Sequence, residues 1–193
     1  MGRKTVRFQK RSQAEFARQF TSLCNVKSSW EVWADFVTMS ATAIANALDR
    51  QGETHDAREK EYLSIINRYP KAEQQIFPEL LAKLVEALEE EPEQDFLGEM
   101  FMSLELGSHW KGQFFTPYSI CQLMAAITID SRADQIAVRG WTSINDPCCG
   151  AGALLIAARN EMAKRGLGPR QALYVAQDID RTAALMCYLQ LSL

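Results

Sequence analysis

Trp141-Thr-Ser-Ile-Asn-Asp-Pro-Cys-Cys-Gly-Ala-Gly152 is the stretch that decides the fold. Trp141 to Asp146 makes a short strand candidate that stops at the turn dipeptide Asp146-Pro147. Gly150-Ala151-Gly152 then opens a helix through Leu154, Leu155, Ile156 and Ala158, closed near Gly166. Ala172 to Gln177 is a second apolar strand candidate, ended by Asp178-Ile179-Asp180. Asp180 is placed to cap a last helix, Arg181 to Leu193. Upstream of the stretch, Thr116-Pro117 reads as an N-cap followed by proline at the first helical position. That helix runs through Ile120, Leu123, Met124 and Ile127. Helix, strand, glycine loop, helix, strand and acid form the start of a doubly wound α/β domain with an incomplete parallel sheet.

Farther toward the N-terminus the periodicity is helical only. Trp30, Trp33, Val37, Ala41, Ile44 and Leu48 form one stripe, with Ser28 or Ser29 as its cap. Tyr62, Ile65, Ile66 and Tyr69 form a second, which stops at Pro70. Ile76, Leu80, Leu81, Leu84 and Leu88 form a third, whose Pro78 is tolerable only in the first turn. Phe96, Leu97, Met100, Phe101 and Leu104 form a fourth, ending at Gly107. No period-2 alternation interrupts them. The fold expected is therefore α plus α/β: a helical bundle over 28–107, then the α/β segment over 108–193. Tryptophan and methionine at helical spacing are read as core. The acids between Glu86 and Glu105 are read as solvated helix faces.

The chain has 193 residues, 47% hydrophobic and 23% charged, with a net charge of −3. That composition is globular, and no apolar run nears the roughly 18 residues of a membrane span. Five cysteines without framework spacing fit a reduced, cytoplasmic protein. Residues 1–27 hold seven bases (Arg3, Lys4, Arg7, Lys10, Arg11, Arg18, Lys27) against Glu15. The rest of the chain carries a balance of −9. Such a basic arm can release counterions from nucleic-acid phosphates, with Arg3, Lys4, Arg7, Lys10 and Arg11 as the DNA-binding candidates. A solubilising tail, or docking on the acidic remainder, is the simpler reading of the same charges.

Asp146-Pro-Cys-Cys-Gly-Ala-Gly152 places glycines where a strand hands over to a helix. Backbone can approach a ligand closely there, and the helix start offers N–H groups to an anion. The acid before the glycines suits a cationic amine. Asp178 lies 26 residues after Gly152, close to where nucleotide-binding α/β folds put a carboxylate on ribose hydroxyls. Neither His55 nor His109 adjoins Cys148-Cys149, and there is no CxxC pair or phosphate-loop motif, so no metal site or thiol nucleophile is expected.

Gly112-Gln-Phe-Phe-Thr-Pro117, Asp146-Pro-Cys-Cys-Gly-Ala-Gly152 and Ala176-Gln-Asp-Ile-Asp180, in that order, resemble the N6-adenine DNA methyltransferases. The nearest group resembled is the modification subunits of type I restriction systems, which carry a helical domain before the catalytic one. The resemblance implies a Rossmann-like domain binding S-adenosylmethionine. Gln113, Phe114, Phe115, Thr116 and Pro117 would embrace the methionine end. Asp146, Cys148, Gly150 and Gly152 would form the loop beneath it. Asp178 would hold the ribose, and Ile179 would pack on adenine.

Members of that family transfer the methyl group at an Asn- or Asp-Pro-Pro-aromatic tetrapeptide, whose aromatic stacks on a flipped-out base. No Pro-Pro dipeptide occurs in these 193 residues. The expectation is an N-terminal portion of such an enzyme, without a catalytic residue of its own and inactive alone. Its partners would be DNA and a specificity subunit, and the apolar helix 183–193 would drive self-association. The alternatives are a non-catalytic assembly or regulatory module, and a methyltransferase acting on RNA or protein.

Overall fold

A computed structural model describes residues 8, 10–25, 27–106 and 114–193 of the chain. The helices of the first part are α1 (Arg11–Leu23), α2 (Ser29–Leu48), α3 (His55–Ile66), α4 (Lys71–Gln74), α5 (Ile76–Glu90) and α6 (Phe96–Ser103). There follow α7 (Tyr118–Asp130), α8 (Ala133–Arg139), β1 (Thr142–Asp146), α9 (Ala153–Lys164), a short 3₁₀ turn at Pro169–Gln171, β2 (Ala172–Ala176) and α10 (Arg181–Ser192).

The expected helical stripes become α2, α3, α5 and α6. Ser28 caps α2 reciprocally: its Oγ accepts from Glu31 N at 3.2 Å, and Ser28 N donates to Glu31 Oε2 at 3.1 Å. That capping box fixes where the longest helix begins. Pro78 sits in the first turn of α5, where no helical partner for its nitrogen is lost. The bundle core is aromatic. Phe16 meets Phe36 and Phe96 edge-on, each at 5.5 Å between centroids, and Trp33 is ringed by Phe16, Phe20, Phe36 and Phe101.

Four expectations change. Within the stretch read as a basic arm, Arg11–Leu23 is helical, because Phe16, Ala17, Phe20 and Leu23 form an apolar stripe that charge counting passes over. Asp95, grouped with the solvated acids, is only 3% exposed and caps α6 by accepting from Gly98 N at 3.0 Å. Helix α7 starts after Pro117, which is itself the N-cap residue, so Thr116 is not the cap. Helix α10, read as an apolar surface seeking a second copy, already lies on α2: Met186 and Leu189 are buried in the bundle core, and Trp33 Nε1 donates to Met186 Sδ at 3.4 Å. The apolar side that was to meet a second copy therefore has an intramolecular partner.

Strands β1 and β2 are parallel, with Ile144 opposite Tyr174, and α9 joins them as a βαβ unit. Ile144 and Tyr174 face the buried cluster of Leu155, Cys149 and Cys187. The opposite face, carrying Leu173 and Val175, is exposed. Helices α7 and α9 meet through small residues, Cys121 and Ala125 against Ala153, Ala157 and Ala158. Ile120, Leu123, Met124 and Ile127 of α7 point outward. Among the described residues no helix is long and apolar enough to cross a membrane.

Candidate functional site

The site grows from the end of β1. Gln177 N donates to Asp146 O at 2.9 Å and Cys149 N donates to Gln177 O at 2.8 Å, so the ladder runs past both strands and pins the following loop beside β2. Asp146 Oδ1 accepts from Cys148 N at 3.1 Å, an Asx turn that starts the reversal. Gly150 lies at φ +54° and Gly152 at φ +98°, left-handed conformations that side chains resist. Space enforces the same choice. A Cβ on Gly150 would lie 2.9 Å from Phe115 Cδ1, and one on Gly152 would lie 2.8 Å from Cys187 Sγ. The loop thus threads between an aromatic ring on one side and α10 on the other.

Asp178 closes the loop from below. Its Oδ2 accepts from Gly150 N at 2.9 Å, and its Oδ1 accepts from Asp180 N at 2.8 Å. Asp180 in turn caps α10, accepting from Thr182 N at 2.8 Å. Above the loop, Phe115 packs its ring 5.1 Å from Phe101 of α6, so the bundle supports the wall of the site. Between these walls lies a cavity of about 200 Å³ lined by Phe114, Phe115, Thr116, Met124, Asp146 and Cys148, with the glycine loop and Leu154 completing it. Burial pushes the thiols of Cys149 and Cys187 up, which keeps them protonated and unreactive, whereas Cys148 is exposed.

Most residues singled out from the sequence converge here. Phe114, Phe115, Thr116, Asp146, Cys148 and Gly150 line one cavity, Asp178 bonds its loop, and Gly152 begins α9 behind it. Ile179 is fully exposed beside Asp178. Pro117 lines instead a larger cavity, about 810 Å³, between 115–122 and the bundle. Gln113, Arg3, Lys4 and Arg7 lie outside the described residues. Lys10 Nζ pairs with Glu91 at 2.8 Å and Arg11 Nε with Glu15 at 2.7 Å, so neither cation is unengaged. Met124 and Leu154 were missed as walls because both belong to apolar stripes that read equally well as core.

Residues 95–193 match the family model of the N-6 DNA methylases. The chain belongs to that family. The match covers both glycine-loop strands, α10 and the segment 114–117, so the cavity lies wholly within the family region. It also begins at Asp95, so α6 of the bundle belongs to it. N-6 DNA methylases are DNA methyltransferases, which makes DNA the substrate class of the family. No curated protein and no solved structure matches the chain.

Proposed function

We propose that the 200 Å³ cavity takes the methionine end of S-adenosylmethionine, in an adenine-N6 DNA methyltransferase of restriction-modification type. The carrying observation is that segments 114–116, 146–152 and 178, far apart in sequence, meet at one glycine loop bonded to Asp178. The residues present fit this molecule. Phe114, Phe115 and Met124 give apolar walls for the carbons around the sulfonium, and Asp146 gives a carboxylate for the ammonium. After accepting Gly150 N and Asp180 N, the Asp178 carboxylate keeps lone pairs for two ribose hydroxyls. Ile179 offers an exposed apolar face for adenine. Bound there, the cofactor would supply an electrophilic methyl group.

The chain's own part is to bind and orient the donor. Holding the acceptor adenine requires groups that these 193 residues do not contain, since they hold no Pro-Pro-aromatic sequence. In this reading β1–α9–β2 is the first unit of a Rossmann-like sheet, and the chain alone binds donor without turnover. DNA contact by the N-terminal bases would add to it, and Lys10 and Arg11 would first have to leave Glu91 and Glu15. A deletion testing that contact must stop before Arg11, because α1 is part of the core. It should flatten the salt dependence of DNA binding.

Thiol footprinting tests the cofactor reading. Cys148 is exposed and lines the cavity, so S-adenosylmethionine should slow its alkylation in the 193-residue chain. Equal alkylation rates with and without saturating ligand would contradict the placement.

A further inference from the structure

Gln190 is a polar residue in the apolar run Leu189-Gln190-Leu191, and it is only 7% exposed. Its carboxamide is fully engaged. Nε2 donates to Asp95 Oδ1 at 2.8 Å and to Ala151 O at 2.8 Å, while Oε1 accepts from Leu97 N at 2.9 Å. The same Asp95 oxygen accepts from Gly98 N, so Gln190 bonds directly to the capped first turn of α6. A carboxamide has two N–H donors and one carbonyl, and here each has a buried partner.

Ala151 lies between the two left-handed glycines, on the wall of the cavity. Its flanks are set by other bonds: Gly150 N donates to Asp178, and Gly152 N donates to Cys149 O. Gln190 fixes the carbonyl between them. The loop is thus held from the strand side by Asp178 and from the bundle side by Gln190.

The geometry points to Gln190 as a positioning residue for the cofactor loop, acting with Asp95 to transmit the placement of the helical bundle to the Ala151 peptide. This rests on the cofactor reading of the cavity. It also gives the bundle a role beyond support, because α6 and its cap residue Asp95 supply two of the three groups that bond Gln190.

The test compares Gln190→Met with Asp95→Asn in the 193-residue chain. Methionine keeps the volume and loses all three bonds. Asparagine keeps an oxygen that can accept from both Gly98 N and Gln190 Nε2. Calorimetric titration with S-adenosylmethionine should show Gln190→Met weakened about tenfold and Asp95→Asn within about twofold of the parent. Amide exchange of the ligand-free chain should rise at 149–153 in Gln190→Met while α2 and α5 stay protected. Parent-like binding with unchanged loop exchange would overturn the assignment. So would a rise spread evenly through α2, α10 and the loop, which marks a residue that only stabilises. If Gln190→Met does not fold, Gln190→Asn retains a buried amide with a shorter reach and must show the same loop-specific exchange. A parent that fails to bind the ligand defeats the cofactor reading, and the exchange experiment still decides the tether.

Discussion

The bundle and the α/β segment bury different kinds of side chain. Around Trp33, the rings of Phe16, Phe20, Phe36 and Phe101 meet at 5.6–6.3 Å between centroids, and each is essentially inaccessible. Between α7 and α9 the contact is made by alanines and Cys121, while Ile120, Leu123, Met124 and Ile127 face outward. Large interlocking rings give the bundle a single arrangement. Small residues let α7 and α9 approach closely and leave the space beside the glycine loop open. The α/β segment takes its anchorage from the bundle, through α10 on α2 and Phe115 on Phe101. The candidate site therefore sits on the less densely buried half, and the aromatic half holds its frame.

That contrast can be broken most severely at Trp33. Trp33→Ala removes the centre of the aromatic core and the donor to Met186, so both halves should lose stability together, by about 3–5 kcal/mol. A single cooperative denaturant transition shifted for probes in both halves would agree. A loss confined to the bundle would mean that α10 is anchored otherwise.

Next in size is the glycine loop. Gly152→Ala forces a side chain into the left-handed region and against Cys187 Sγ, costing about 1–3 kcal/mol by its conformation alone. Its thermal unfolding should be lowered with the aromatic near-ultraviolet signal of the bundle retained.

Asp95 gives a smaller, pH-dependent effect. Burial raises its pKa most, Glu99 adds to the rise, and the bonds from Gln190 and Gly98 oppose it. A carboxyl raised in the folded state binds more protons there than in the unfolded chain. Its cost to stability is absent below its ordinary value near 3.9 and grows as pH climbs through the folded value. Asp95→Asn should therefore melt above the parent at pH 7, with the gap closing toward pH 4. A pH-independent difference would show that Asp95 does not titrate in this window.

The smallest change is expected on the outward face of α7. Ile127→Gln should shift stability by less than about 0.5 kcal/mol, since the side chain is 63% exposed. A larger loss would show that this face is covered in solution.

Legibility in the sequence followed the same division. Helices α2, α5 and α6 could be placed because large apolar residues recur at helical spacing, with Ser28 as an explicit cap for α2, whereas Asp95 before α6 reads as one more solvated acid until its burial is seen. Strands β1 and β2 could be placed because a turn dipeptide and an acid end them. Helix α1 was hidden by its charges. Helix α8 has no side-chain N-cap and no long stripe, its one cap signal is Gly140 just past its end, and only Ile136 of its residues is buried. In the site, glycines and acids were legible because backbone geometry restricts which residues can stand there. Gln190 was not, because one polar residue in an apolar helix reveals its meaning only when Asp95 and Ala151 arrive beside it.

In the proposed function, a folded glycine loop held by Asp178 binds S-adenosylmethionine within this chain. Calorimetric titration of the purified 193-residue protein, beside Asp178→Ala, tests it most directly. The expected result is saturable one-site binding, weakened by about 1.5–3 kcal/mol, or 10- to 150-fold, in the variant. Part of that loss comes from freeing Gly150 N. Indistinguishable titrations of parent and variant, or no binding by a folded parent at millimolar ligand, would contradict it.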